Sequence, residues 1–411
     1  MRTTKILFLG SFPPPFGGIA SHLYDLFKVF ADAKRDFYVF DIYQRDLSND
    51  EGYLHLRSQK RRGKLFSHLS SLFCFVRYLN RFTIVLFQTV KFYGKGDQEF
   101  LFPFKVVLTL IELIKTIRND GITTLSAYHT FPEGMYAYFI RKYFFTEICY
   151  SVTVFGELQA DTIHISKHEK LYNQILKNAN ILMASSQYCG SGVEKVGLST
   201  AKVSVIPYGI DIDHFKRTIP YEETKSKRKI LFVGHINVRM GLECLLNALA
   251  ILKKKSIETN VIIVGNDHGF LSEFTKLVNT FGLVDNISIQ KNVSYNALRT
   301  IYDESYLYVN TANTKLPCMG LSMKEAMASE LPVIASNAGG IPEAVVIGET
   351  GYIFPADDAI ELAKYIELTL TNFELSKKMG KSGRRRAEEI FDKNKTSQNI
   401  LDILNMMEKN L

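Results

Sequence analysis

Ile230-Leu231-Phe232-Val233-Gly234, a loop to Gly241, and the apolar-periodic run from Leu242 to Leu252 decide the fold of this chain. An apolar run closed by glycine reads as a buried strand, and the spacing of apolar residues after Gly241 reads as a helix. Strand, glycine-bearing loop and helix, in that order, open an α/β nucleotide-binding half. The same order stands at the start of the chain. Lys5 to Leu9 is strand-like, Gly10-Ser11-Phe12-Pro13-Pro14-Pro15-Phe16-Gly17-Gly18 is a loop, and Ile19 to Phe30 is periodic.

Further strands are expected in the first half at Tyr38 to Ile42, Thr83 to Phe87, Thr123 to Tyr128, Ile148 to Phe155, Ile181 to Ser185 and Val203 to Pro207. In the second half they are expected at Asn260 to Val264, Ile287 to Gln290, Tyr306 to Asn310, Pro332 to Ala335 and Gly351 to Phe354. Helical patterns lie between most of them, which favours parallel sheets. A chain of 411 residues is too long for one ordinary core and comfortable for two. The polar stretch Arg217 to Lys229, with Pro220, reads as a linker. The expected fold is therefore α/β, with two Rossmann-like, doubly wound parallel-sheet domains at 1–216 and 230–382, a linker at 217–229, and C-terminal helices at 383–411 packing back on the first domain.

Composition agrees: 46% apolar and 22% charged residues with 11 prolines exclude a disordered or collagenous chain. Cys74, Cys149, Cys189, Cys244 and Cys318 show no zinc spacing and read as free thiols of a reducing compartment. Ile6-Leu7-Phe8-Leu9 is too short for a signal-peptide core or a membrane span, so a cytoplasmic protein is expected. The +8 net charge is concentrated: 53–118 holds twelve Lys/Arg against three Asp/Glu. There Arg57, Lys60, Arg61, Arg62 and Lys64 precede an amphipathic run from Leu65 to Val76. Two readings stand for it, an anionic membrane surface on the inner face of the plasma membrane and a solvated helix packing on its own domain. No nucleic-acid motif accompanies the charge, so nucleic acid is not an expected partner. No G-x-G-x-x-G follows the first strand, which argues against a dinucleotide dehydrogenase.

Several segments in this order resemble family 4 glycosyltransferases, the retaining enzymes of the GT-B fold. They are the Gly17-Gly18 loop, Val205-Ile206-Pro207-Tyr208-Gly209-Ile210-Asp211 with Phe215, Leu231-Phe232-Val233-Gly234, and Gly320-Leu321-Ser322-Met323-Lys324-Glu325-Ala326-Met327-Ala328. Leu331-Pro332-Val333-Ile334-Ala335, Gly339-Gly340-Ile341-Pro342-Glu343 and Gly348-Glu349-Thr350-Gly351 complete the set. The resemblance implies two domains facing a cleft, a UDP- or GDP-sugar as donor, no cofactor and no metal. It also implies transfer of a hexose-type unit to a growing surface glycan, such as a capsule, O-antigen or exopolysaccharide on an undecaprenyl-type lipid, with the acceptor on the first domain.

Sugar nucleotides carry a diphosphate, and helix N-termini offer free N–H groups and a positive dipole end. Gly17 and Gly18, Gly234 with Gly241, and Gly320-Leu321-Ser322 stand at such starts, where glycine admits the phosphate. The resemblance places Glu325 on the ribose, and the turns at Val264-Gly265-Asn266 and Lys291-Asn292-Val293 on the base. His129 and Glu157 are the candidate catalytic groups. The sequence departs from the family pattern at Phe155, where a histidine is usual, and at His235, where an arginine is usual. It departs again at Met240, where a lysine is usual, and at Pro317, where a glutamate is usual. Arg239 is positioned to replace the charge missing at Met240, and His235 to bind phosphate when protonated. These losses keep a noncatalytic GT-B subunit as the alternative, with a nucleotide-sugar epimerase behind it.

Overall fold

The computed structural model describes residues 5–10, 18–41, 74, 76–92, 102–160, 162–226 and 228–409. It divides into two compact units. The first holds 1–185, 190–206 and 397–411, and the second holds 186–189 and 207–396.

The first unit is built on β1 (Ile6–Gly10), β2 (Phe37–Asp41), β3 (Thr124–Tyr128), β4 (Cys149–Val154), β5 (Ile181–Ala184) and β6 (Val203–Val205). They form one parallel sheet in the order β2-β1-β3-β4-β5-β6. The second unit contains β7 (Lys229–Val233), β8 (Asn260–Val264), β9 (Ile287–Gln290), β10 (Leu307–Asn310), β11 (Val333–Ser336) and β12 (Gly351–Phe354), in the order β12-β11-β10-β7-β8-β9, again all parallel. Parallel strands covered on both faces read as continuous apolar runs. Accordingly β1, β3, β4, β10 and β11 are buried along their whole length. This is the two-domain, Rossmann-like GT-B architecture.

One expected strand is a helix. Thr83 to Phe87 lies inside Leu79–Phe92, where Phe82, Val85 and Thr89 are buried while Thr83, Ile84 and Phe87 are exposed. The β-branched run suggested a strand, but burial at intervals of three and four follows a helical face packed on the helix Phe102–Asp120, and packing overrides local propensity.

The stretch 217–229, read as a linker, is fastened to the second unit. The Arg217 guanidinium donates to the carbonyls of Ser329 at 2.8 Å, Asp303 at 2.8 Å and Ser305 at 3.0 Å. Tyr221 is buried and donates to Tyr306 O at 2.8 Å. Proline and charge marked the composition shift, but a guanidinium bonded to three carbonyls is a clamp. Beyond 383, the helix Phe373–Ile390 stays with the second unit and the helix Lys393–Lys409 passes to the first, where Asn405 Oδ1 accepts from Arg35 at 2.6 Å.

Candidate functional site

In open α/β sheets, ligands sit beyond the carboxyl ends of the strands where the winding reverses. In the second unit that point lies between β7 and β10. The loops leaving these strands, 234–241 and 311–320, carry Gly234, His235, Arg239 and Gly320. They are tied together: Thr311 Oγ1 donates to Met240 O at 2.7 Å, and Asn313 N to Arg239 O at 3.1 Å. Gly241 has φ +60°, and a Cβ there would lie 2.0 Å from Thr311 O. Glycine is therefore demanded at Gly241 by backbone packing, whereas the sequence suggested an opening for phosphate. Gly234 has Met240 Cε against it, 2.8 Å from where a Cβ would stand.

His235 and His268 lie ring against ring, with centroids 4.0 Å apart and planes tilted by 52°. Partial burial, then His268 and Arg239, hold the His235 pKa below its ordinary value, because each disfavours a second positive charge. At neutral pH His235 is an uncharged ring, and Arg239 carries the cation of this loop.

The helix Leu321–Ala328 starts behind Gly320, whose φ of +62° suits glycine and whose Cβ position is open space. Its N–H groups are thus approachable. Ser322 Oγ lies 2.8 Å from the Tyr308 hydroxyl. The Tyr302 hydroxyl lies 2.9 Å from Glu325 Oε2 and 2.9 Å from Ser322 O. Both tyrosines are fully buried. Burial and then the Glu325 charge push the Tyr302 pKa far up, so the phenol stays protonated and orients a carboxylate that is itself half-buried. Sequence reasoning missed Tyr302 and Tyr308. A buried phenol needs a partner, but no local spacing connects Tyr302 with Glu325.

Beside Glu325, Lys324 is 1% exposed. Its ammonium donates to Tyr208 O at 2.7 Å and lies 4.8 Å from the Phe391 ring centroid. Burial lowers its pKa to about 7.

The two turns expected near a base meet: Asn266 Oδ1 accepts from Asn292 N at 2.8 Å. Asn292 takes φ +53°, which asparagine tolerates, and Val293 packs partly against the core. Other family-like segments make contacts within the second unit. Asp211 accepts from His214 N at 2.9 Å and pairs with Lys393 at 2.6 Å; burial raises its pKa, and Lys393 with His214 outweighs it, leaving a lowered value. Glu343 accepts from Gln187 N and Tyr188 N, each at 2.7 Å. Pro317 O receives Gly340 N at 2.9 Å, and the thiols of Cys189 and Cys318 meet at 2.7 Å.

In the first unit, parallel pairing of β3 with β4 sets Tyr128 beside Thr153, so His129 and Phe155 emerge together. Their ring centroids are 4.6 Å apart. Glu157 gathers this edge: Oε2 accepts from Phe155 N at 2.8 Å and lies 3.7 Å from His129 Nδ1. Its Oε1 accepts from Thr130 N and Oγ1, both at 3.3 Å. His129 holds φ +111°, a strained conformation for a residue with a Cβ, worth about 1–3 kcal/mol. Gly17 lies outside the described residues, as do Arg57 to Lys64 and Leu65 to Phe73, and Gly18 begins the helix Gly18–Asp32.

The fold and these edges define the class, a two-domain GT-B protein resembling the family 4 glycosyltransferases. Residues 216–386 match the family model described as glycosyl transferases group 1. Spore coat protein SA of Bacillus subtilis (strain 168) is 28% identical over 184 residues, 43% of this chain and 48% of that protein. The putative colanic acid biosynthesis glycosyltransferase WcaL of Escherichia coli (strain K12) is 22% identical over 254 residues, 59% of this chain and 62% of that protein. The chain thus spans about half to three fifths of these relatives' lengths. The crystal structure of Anabaena HepE in complex with UDP-glucose shares the fold, with TM-score 0.70 and 17% identity over 98% of this chain and 99% of that one.

Proposed function

We propose that this protein is a retaining, metal-independent glycosyltransferase that moves a hexose-type unit from a UDP- or GDP-sugar to a growing surface glycan carried on lipid, at the cytoplasmic side. Supporting it most directly is Glu325. Its carboxylate stands one turn into a helix whose N-terminus is open behind Gly320, and a buried phenol holds it in place. A carboxylate there can accept bonds from both ribose hydroxyls, and the helix start can receive the diphosphate. Arg239, with His235 when protonated, supplies the cation for a departing diphosphate, and such leaving-group charge is worth a few kcal/mol of barrier. His129 and Glu157 act on the acceptor side. UDP-glucose in the similar HepE structure and colanic acid biosynthesis in the name of WcaL agree with this donor and product class.

The test is nucleotide release and glycan product from several donors, with lipid-linked acceptors extracted from the source organism and with chelator present. A second reading, a noncatalytic subunit that binds nucleotide or glycan, is favoured by Met240 packing on Gly234 where a cation would ordinarily stand. Binding of donor with no release in that assay would select it.

A further inference from the structure

Loop 311–320, which leads from β10 to the open helix start at Gly320, is held from a second side by residues 186–189. The Tyr188 hydroxyl donates to Lys315 O at 3.1 Å, while Glu343 fixes the backbone of Gln187 and Tyr188. Cys189 N donates to Ser186 Oγ at 3.0 Å. A Cβ on Gly340 would stand 2.7 Å from Ser186 Oγ and 2.9 Å from Cys318 O, so 186–189 and the loop pack against each other across a glycine. These ties bring together two cysteines 129 residues apart, with Cys189 Sγ 2.7 Å from Cys318 Sγ. Cys189 is wholly buried, whereas Cys318 is partly exposed.

A disulfide holds its sulfurs about 2.05 Å apart, so this pair closes with a movement of roughly 0.7 Å. The other three cysteines, Cys74, Cys149 and Cys244, are buried. Burial pushes the Cys74 thiol up and the Cys244 thiol up to about 12, and the thiolate is the reactive form. We propose that Cys189 and Cys318 are an oxidisable dithiol, a site of modification by peroxide whose disulfide clamps loop 311–320. Hydrogen peroxide meets the partly exposed Cys318 first. Its sulfur bonds one peroxide oxygen as the O–O bond breaks, the thiol proton leaves with the other oxygen as water, and a sulfenic acid remains. The Cys189 sulfur then attacks that sulfur, the S–O bond breaks, and the second thiol proton leaves with the hydroxyl as water. Two electrons pass from the sulfurs to peroxide, and a dithiol reductant restores them. In a reducing compartment such a disulfide is transient and serves sensing. Cys318 stands two residues before Gly320, so the clamp pulls on the helix start assigned above to the diphosphate. That consequence alone rests on the donor reading. Binding groups work within about 0.5 Å of their proper place, so the pull should weaken nucleotide binding about tenfold.

The test exposes the full chain to hydrogen peroxide, alkylates the remaining thiols under denaturant, and maps the peptides by mass spectrometry. One linked pair containing Cys189 and Cys318 is expected, with Cys74, Cys149 and Cys244 alkylated and the link reversed by dithiothreitol. Hydrogen exchange through 311–320 should slow in the oxidised protein. By calorimetry, UDP or GDP should bind about tenfold more weakly after oxidation, while Cys318→Ser should bind as the reduced parent does and ignore peroxide. All five cysteines alkylated after peroxide, Cys318 carried on to a sulfinic acid without linkage, or linkage that leaves exchange of the loop unchanged would each overturn the proposal. A linked, slowed loop in a protein that binds neither nucleotide even when reduced would support the dithiol and overturn the donor reading instead.

Discussion

At the scale of single residues, the site rests on how Glu325, Tyr302, His235 and Arg239 are held. Glu325→Ala should weaken nucleoside diphosphate binding by about 1.5–3 kcal/mol, as for a hydrogen bond to a charged group, and unchanged affinity by calorimetry would remove it from the site. Tyr302→Phe keeps the carboxylate but frees its orientation, and should cost about 1 kcal/mol of the same affinity. For His235 the sign follows from its lowered pKa. The free protein holds the neutral ring, and a bound diphosphate favours the imidazolium, so binding takes up a proton. Affinity should rise as the pH falls through the pKa of the bound imidazole, which the diphosphate raises above that of the free protein, and His235→Gln should flatten that dependence. Arg239→Ala should cut transfer by about tenfold to several hundredfold; full activity would show that the charge missing at Met240 is made good elsewhere. Glu325 is singled out in the sequence by its motif, and Arg239 by standing beside Met240, where a lysine is usual. Tyr302 is not, because its tie to Glu325 exists only once β10 and its flanking helices are packed.

At the scale of elements, the helix Leu321–Ala328 carries a cost as well as a site. Lys324 is buried with a pKa near 7, below its ordinary value of 10.5. Between those values the unfolded chain binds the proton that the folded chain has lost, so stability should rise with pH from about 7 towards 10. Lys324→Met should stabilise the fold by roughly 1–4 kcal/mol at pH 6, the range for replacing a buried charge by an apolar side chain, and the gain should fade above pH 9. A variant less stable than the parent at pH 6 would show that the bond to Tyr208 O outweighs burial. Gly241→Ala should cost about 2 kcal/mol or more in denaturant unfolding, since it combines φ +60° with a clash at Thr311 O. Strands of continuous apolar residues were readable from the chain, as β7 and β8 show. Thr83 to Phe87 was not, because a short β-branched run looks the same whether one face or two are covered.

At the scale of the whole molecule, two strand-loop-helix openings announced two doubly wound units, and both sheets follow. The path of the chain between them was not legible. Residues 186–189 belong to the second unit and 397–411 to the first, through contacts such as Glu343 with Gln187 and Arg35 with Asn405 that join residues far apart in sequence. A composition shift at 217–229 marks polarity, whereas the Arg217 clamp depends on three carbonyls that only the folded second unit brings together. What the molecule does with this architecture is tested most directly by following donor turnover by nuclear magnetic resonance, with a panel of UDP- and GDP-sugars and the organism's own lipid-linked acceptor. A retaining transferase releases nucleoside diphosphate only when acceptor is present, and gives a product whose new linkage keeps the anomeric configuration of the donor. Donor bound but never consumed, or a product of inverted configuration, would contradict it.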